Sequence, residues 1–316
     1  MMAPLLEITD LDVVFQTRRK ALKAIDNLSV TMEPGEILGF VGESGAGKSV
    51  TGAAIMGLID PPGYIAGGEI KLKGRPVADY GTNLRGKEVG MIFQDPLTSL
   101  NPLRTIGDQL AETILHNLDL SPTEARNKAV AGLREVGIDP DRFNSYPHEF
   151  SGGMRQRVVI ALALAAEPDL IIADEPTTAL DVSIQAQVLD LLRSVCQKRS
   201  ASVILITHDM GVISETTDRV AVLYAGRMME IGTTRDVIRH PRHPYTKGLI
   251  ASTPVLDLVS VDSILPQITG AMPSLDALPS GCRFHPRCDE CMPQCRTERP
   301  VFNDHVACHL FGGDSA

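Results

Sequence analysis

The segment GESGAGKS, Gly42 to Ser49, constrains the fold more than any other part of the sequence. It follows the apolar run ILGFV and opens a segment of helical composition. A glycine-rich turn between a strand and a helix lets backbone N–H groups close around phosphate, and the helix N-terminus adds its dipole. The pattern predicts that Lys48 reaches the β and γ phosphates of a nucleotide and that Ser49 holds Mg²⁺. The candidate nucleotide ligands are Gly42, Glu43, Ser44, Gly45, Ala46, Gly47, Lys48 and Ser49.

Short runs rich in β-branched residues predict buried strands along the first two thirds of the chain. They are Ile37 to Val41, Val89 to Phe93, Leu170 to Ala173 and Val203 to Thr207. Helical stretches lie between them, and this alternation predicts an α/β fold with a largely parallel sheet covered on both faces.

The segment from about residue 96 to residue 166 is almost wholly helical in pattern. Ser121, Pro122 and Glu124 form a predicted helix start with a capping box, and Gly137 is the predicted stop. We therefore expect a helical subdomain inserted into an α/β domain that covers residues 1–235. Residues 236–316, which end in a group of cysteines, are expected to form a separate C-terminal extension.

Composition and charge exclude some classes of protein. The net charge of −9 disfavours nucleic acid or anionic lipid as the main partner. The longest apolar run, Val158 to Ala166, is far shorter than the roughly 20 residues that cross a bilayer. The first residues do not have the pattern of a secretory signal, so we expect a cytoplasmic protein.

The segment LIIADEP, Leu170 to Pro176, predicts a strand that ends in two carboxylates. Asp174 is placed to bind Mg²⁺ through water, as in other proteins with a phosphate-binding loop. Glu175 is the candidate to orient and polarise an attacking water. An isolated acidic pair would more often be a solvated turn, but after a phosphate-binding loop it favours nucleotide hydrolysis.

The segment SGGMRQR, Ser151 to Arg157, predicts a second anion-binding helix start. Ser151 is a natural N-cap, and Gly152 and Gly153 permit close approach to the backbone. One nucleotide seldom needs two such loops from the same subunit. We therefore expect the second loop to contact a partner's nucleotide, the alternative being a glycine-rich helix cap without a ligand.

These motifs, together with Gln94 in FQDP, the triplet Ala179-Leu180-Asp181 and His208 in LITHD, resemble the ABC transporter ATPase subunits in order and spacing. The resemblance covers about residues 5–235. It implies a P-loop NTPase fold and a head-to-tail dimer, with two ATP molecules between the P-loop of one subunit and the SGG segment of the other. It also implies that Gln94 contacts Mg²⁺ or water, that Asp181 couples the two sites and that His208 touches the γ-phosphate. Phe15 resembles the aromatic residue that stacks on adenine, although an aromatic in VVF suits a core equally well.

The expected C-terminal extension, called the tail below, contains five of the six cysteines. Their spacing is Cys282-x5-Cys288-x2-Cys291-x3-Cys295-x12-Cys308. Because cytoplasmic thiols stay reduced, this spacing favours a metal site over disulfides. Four thiolates suit either Zn²⁺ or an iron–sulfur cluster.

HPYTKGL and the cysteine tail resemble the oligopeptide and dipeptide permease ATPases of the peptide and nickel branch of ABC importers. That resemblance implies a [4Fe–4S] cluster on Cys282, Cys288, Cys295 and Cys308, with Cys291 left over. The C-x2-C of Cys288 and Cys291 keeps Zn²⁺ open as the alternative.

The sequence thus predicts the ATP-binding and ATP-hydrolysing subunit of a bacterial-type ABC importer for peptides or a related small solute. The expected partners are a second ATPase subunit, either a copy or a paralogue, and two transmembrane permease subunits. An external solute-binding protein would act indirectly, and the chain would lie on the cytoplasmic side of the inner membrane. The alternatives are a soluble ABC ATPase of DNA repair or translation and a small-molecule kinase, but a kinase leaves SGGMRQR unexplained.

Overall fold

The computed structural model describes residues 3–178, 180–253 and 266–311. The chain divides into two compact units. The first comprises Met1–Leu5, Glu33–Ile37 and Arg75–Ile206, and the second comprises Leu6–Met32, Leu38–Gly74 and Thr207–Ala316. Within the described ranges, no helix has both the length and the apolar character needed to cross a membrane. Ala179 of the predicted triplet lies outside these ranges.

The strands are β1 (Leu6–Gln16), β2 (Ala21–Met32), β3 (Ile37–Val41), β4 (Gly63–Leu72), β5 (Arg75–Pro76), β6 (Val89–Ile92), β7 (Leu170–Asp174), β8 (Ser202–Thr207), β9 (Arg219–Tyr224) and β10 (Arg227–Thr233). The α-helices are α1 (Lys48–Ile55), α2 (Pro96–Ser99), α3 (Ile106–Asn117), α4 (Pro122–Glu135), α5 (Gly152–Leu164), α6 (Val182–Arg199), α7 (Met210–Thr216), α8 (Thr234–Arg239) and α9 (Pro244–Ala251). Short 3₁₀ helices cover Val77–Asn83, Pro140–Asn144, Pro147–Glu149, His285–Arg287, Pro293–Arg296 and His309–Phe311.

The first unit contains a parallel arrangement of β6, β7 and β8. Leu170 pairs with Val89 on one side and with Ser202 on the other. The strands are nearly continuous apolar runs because both of their faces are covered. The predicted strands in this unit are confirmed, except that β6 ends at Ile92. Phe93 lies outside the strand with 46% of its surface exposed.

Helices α2 to α5 account for most of the segment that was predicted to be helical. At the start of α4, Ser121 Oγ accepts the Glu124 N–H at 3.3 Å, and the Glu124 carboxylate accepts the Ser121 N–H at 2.8 Å. The helix ends at Glu135 with Val136 as its C-cap, and Gly137 follows in the left-handed conformation with φ of +74°. The predicted capping box and the predicted glycine stop are both confirmed.

The second unit combines an antiparallel sheet in the order β2, β1, β4 with a group in which β9 pairs in parallel with β3 and antiparallel with β10. The C-terminal residues share the core of this group. Phe284 packs against Tyr224 at the end of β9 and against Tyr245 of α9, with ring centroids 5.3 and 5.2 Å apart. Apolar contact therefore ties the cysteine-bearing segment to the strands that flank the P-loop.

A buried carboxylate also anchors this segment. Asp26 in β2 is 2% exposed and forms ion pairs with Arg227, with Arg299 at 2.9 Å and with Arg283. Burial alone would raise the pKa of Asp26, but hydrogen bonds from Arg227 and Lys23 outweigh it and hold that pKa well below its ordinary value. The charged carboxylate thus joins two tail arginines to the antiparallel sheet.

Candidate functional site

The P-loop connects β3 to α1 and requires glycine at two positions. Gly47 is the N-cap of α1 with φ of +104°, a conformation that glycine adopts without steric cost. A Cβ there would lie 2.7 Å from Ile25 Cδ1, and a Cβ on Gly42 would lie 2.2 Å from the Leu223 carbonyl oxygen. The bare backbone is therefore what allows the loop to close tightly at the start of α1.

Lys48 lies folded into this loop. Its side chain is nearly buried, and Nζ donates to the carbonyl oxygens of Gly42 at 2.7 Å and Glu43 at 3.1 Å. Ser44, Gly45 and Ser49 are exposed at the mouth of the loop. The loop thus offers backbone, one ammonium group and two serine hydroxyls, a set that fits a polyphosphate with its Mg²⁺.

In the first unit, Gln94 and Glu175 lie in direct contact although they are far apart in sequence. Gln94 Nε2 donates to Glu175 Oε2 at 3.1 Å, and Thr178 Oγ1 donates to the same oxygen at 3.0 Å. Glu175 has a positive φ of +46°, which is uncommon for a residue other than glycine, and its N–H donates to the Ile206 carbonyl at 2.9 Å. The carboxylate is therefore held in one orientation directly after Asp174, the last residue of β7.

The SGG segment forms the start of α5 as predicted. Ser151 is the N-cap, and its Oγ accepts the Met154 N–H at 3.4 Å. A Cβ on Gly153 would meet Ile184 Cγ2 at 2.6 Å, so glycine is needed for α5 to approach α6. Asp181 is the N-cap of α6 and is exposed.

The remaining predicted site residues, Phe15 and His208, both belong to the second unit. Phe15 is half-buried in β1 opposite Gly63, whose added Cβ would lie 2.7 Å from Phe15 Cε1. His208 follows β8 and is exposed, immediately before Asp209, the N-cap of α7. Their predicted contacts with adenine and with the γ-phosphate stay predictions.

Four of the tail cysteines line one small cavity in the second unit. They are Cys282, Cys288, Cys295 and Cys308, the set implied by the family resemblance, and Cys291 is not among the lining residues. Burial raises the pKa of Cys282 to about 11 and that of Cys288 to about 12, so without a metal these thiols stay protonated.

The thiols that line this cavity are suitable donors for a metal, but they are not arranged in space as a metal centre requires. The cavity of about 10 Å³ has room for about one water molecule. In the described part of the chain, no three His, Cys, Asp or Glu side chains are arranged to hold a metal ion. The predicted four-thiolate set is thus gathered at one place, and the structure does not support a ready-made cluster site.

Two residues that contact the P-loop were not predicted. Tyr245 Oη accepts the Glu43 N–H at 2.9 Å, and Arg287 forms two ion-pair contacts with the Glu43 carboxylate. Tyr245 lies in the motif HPYTKGL, which indicated the family but not this contact. Arg287 lies 244 residues from Glu43 in the sequence. No local pattern points to a contact at that distance.

Comparison with known families agrees with this site. Residues 25–178 match the family described as ABC transporter, and residues 229–295 match the family described as oligopeptide/dipeptide transporter, C-terminal region. The second match includes Tyr245, Arg287 and three of the four cavity cysteines.

Similar proteins and structures point the same way. The chain is 46% identical to the oligopeptide transport ATP-binding protein AppD of Bacillus subtilis, over 100% of this chain and 99% of AppD. It is 48% identical to the dipeptide transport ATP-binding protein DppD of the same organism, over 93% of this chain and 89% of DppD. A dimeric post-hydrolysis structure of the ATP-binding cassette MJ0796, bound to ADP and Pi, matches with a TM-score of 0.65 and 27% identity, over 73% of this chain and 99% of that one. The chain therefore belongs to the ABC transporter family as an ATP-hydrolysing subunit.

Proposed function

We propose that this chain energises an ABC importer for di- or oligopeptides or a related small solute. The observation that carries the proposal is the full-length similarity to peptide transport ATP-binding proteins, which includes the C-terminal region of that group. A soluble ABC ATPase of DNA repair or translation is disfavoured, because that function does not explain the match to the C-terminal region of peptide transporters. The transported solute would be selected by an external binding protein.

The P-loop residues would bind the nucleotide and its Mg²⁺. Lys48 would exchange its hydrogen bonds with the Gly42 and Glu43 carbonyls for the β and γ phosphates of ATP. Ser49 and Asp174 would hold Mg²⁺, with Gln94 contacting the ion or its water. Phe15 would stack on the adenine.

Glu175 would orient and polarise the attacking water. Its contacts with Gln94 and Thr178 support this role because they hold the carboxylate in one rotamer, and a fixed acceptor avoids reorganisation during the reaction. His208 would contact the γ-phosphate and stabilise its developing charge.

A second ATPase subunit would complete each site. Ser151, Gly152 and Gly153 would contact the γ-phosphate of the partner's ATP, and Asp181 would couple the two sites. The start of α5 suits this role because the first N–H groups of a helix have no partner within the helix and favour an anion. In this arrangement, residues 1–235 form the ATPase domain, with an inserted helical subdomain at about residues 96–166, and residues 236–316 form the extension.

The chain would dock on two permease subunits at the cytoplasmic face of the inner membrane, near Gln94 and the inserted helices. The test is co-purification of the tagged full-length chain with the permease subunits, followed by measurement of peptide-dependent ATP hydrolysis in proteoliposomes. We expect the permease subunits to be retained and hydrolysis to respond to the loaded binding protein. Co-sedimentation with ribosomes or DNA, without permease subunits, would contradict the proposal.

The four cavity cysteines would hold a [4Fe–4S] cluster, with Zn²⁺ as the alternative. Their shared cavity and thiol chemistry support a thiolate-ligated group, although the thiols would have to move outward to admit it. The group would brace the tail, and nothing in ATP hydrolysis requires it.

Replacing Cys288 with Ser should remove most of the bound metal, whereas the matched change Cys291→Ser should leave it in place, since only Cys288 lines the cavity. Iron, acid-labile sulfide and zinc analysis of anaerobically purified protein, with an absorption spectrum near 400 nm, makes the comparison. Colourless wild-type protein with stoichiometric zinc would exclude the cluster, and equal metal loss in both variants would contradict the assignment of Cys291 as the spare.

A further inference from the structure

The second residue of the P-loop, Glu43, is held by the C-terminal extension at both its backbone and its side chain. Its N–H donates to Tyr245 Oη at 2.9 Å. Its carboxylate accepts two hydrogen bonds from Arg287, from Nη1 at 2.9 Å and from Nη2 at 3.1 Å. Two parallel hydrogen bonds between a guanidinium and a carboxylate fix relative orientation as well as distance.

The Arg287 side chain is itself held by several other contacts. It is 7% exposed, and its Nε donates to the Thr269 carbonyl at 2.8 Å. Nη2 also reaches the Ile268 carbonyl at 3.4 Å, and the guanidinium carbon lies 5.8 Å from the centre of the Tyr224 ring. The extension therefore presents Arg287 to the P-loop in one orientation.

Glu43 links this contact to the phosphate-binding lysine. The Glu43 carbonyl accepts from Lys48 Nζ at 3.1 Å and from the Ala46 N–H at 3.1 Å. Movement of Glu43 would thus displace the P-loop backbone against which the Lys48 ammonium lies before ATP binds. Arg287 also neutralises a carboxylate that would otherwise repel the phosphates nearby.

We propose that Arg287 is a positioning residue for ATP, which acts through Glu43 to hold the P-loop in its binding conformation. This inference rests on the proposed function of the loop. Arg287 directly precedes Cys288, one of the cavity cysteines, so the proposal would connect the position of the cysteine segment with the affinity for ATP.

The test is equilibrium binding of Mg-ATP by the full-length chain, together with KM and kcat for hydrolysis, compared at equal metal content. Arg287→Ala should weaken ATP binding about tenfold, because a partly buried, doubly hydrogen-bonded charge pair is lost and the loop is released. KM should rise by a similar factor, while kcat at saturating ATP stays within about twofold. Arg287→Lys keeps the charge but not the paired hydrogen bonds and should give an intermediate affinity.

A double-mutant cycle with Glu43→Ala shows whether Arg287 acts through Glu43. In the Glu43→Ala protein, the further change Arg287→Ala should alter ATP affinity by less than about twofold, since the side-chain contact is already removed. A full tenfold loss in that background would overturn the inference. The matched control is Arg242→Ala, which removes the exposed tail ion pair with Asp304 and should leave ATP affinity unchanged.

The thermal unfolding temperature of each variant shows whether that variant is folded. Should Arg287→Ala fail to fold, Arg287→Lys decides, and ATP affinity within twofold of wild type in the folded variants would overturn the inference. If the wild-type chain bound no Mg-ATP, the proposed function itself would fail. Wild-type binding with an unaffected Arg287 variant would reject only the positioning role.

Discussion

Replacing Glu175 with Gln should lower ATP turnover about a hundredfold or more while Mg-ATP still binds. The carboxylate would no longer polarise the attacking water, but glutamine has nearly the same size and can keep the contacts with Gln94 and Thr178. Phosphate release under single-turnover conditions measures the loss, and equilibrium nucleotide binding shows that the site is intact. We expect bound ATP to accumulate, because hydrolysis is blocked after binding.

The matched control is Glu112→Gln on α3, which removes an exposed ion pair with Arg104. It should leave turnover within about twofold, because exposed ion pairs contribute little to stability. Unchanged turnover in Glu175→Gln would refute the role in orienting water. Loss of ATP binding in that variant would instead assign Glu175 to nucleotide binding.

Replacing Lys48 with Ala should weaken Mg-ATP binding about a hundredfold, because the nearly buried ammonium is the P-loop's own cation for the phosphates. Fluorescence of a labelled ATP analogue, displaced by ATP, measures the affinity. The folded state should survive, since the Lys48 hydrogen bonds with Gly42 and Glu43 lie within the loop.

Lys71→Ala on β4 is the control for loss of one positive charge, because Lys71 pairs with Glu69 on the exposed side of the antiparallel sheet. ATP affinity should be unchanged in this variant. Affinity in Lys48→Ala within a few-fold of wild type would contradict the phosphate-binding role. Equal losses in both variants would indicate a general effect of net charge instead.

Local structure was predictable from the sequence because it depends on neighbours along the chain. The capping box of Ser121 and Glu124, the glycine stop at residue 137 and the strand before the P-loop all follow from short-range hydrogen bonding and burial patterns. The predicted strand that ended at Phe93 was one residue longer than β6. Phe93 has a high β propensity, but that propensity does not show that its side chain is exposed.

The candidate site was predictable as a set of residue types but not as a set of contacts. Gln94 and Glu175 were both selected by motif, yet their hydrogen bond across 81 residues follows only from the folded first unit. The four cysteines were chosen because of the family resemblance, whereas the small cavity that they line, without a metal-holding arrangement in the described residues, is a feature of packing.

The sequence by itself predicted the residue types of the candidate ATP-binding segments, because a glycine-rich loop, a carboxylate pair at a strand end and a serine-capped helix are each encoded by a short stretch of the chain. Only the tertiary structure revealed that Tyr245 and Arg287, from the last third of the chain, contact the P-loop. The contact of Arg287 with Glu43 and the ion pairs of Asp26 with Arg283 and Arg299 join residues more than 240 positions apart. Such contacts depend on how the core around Tyr224 and Phe284 packs. This packing cannot be predicted from the periodicity of residues along the chain.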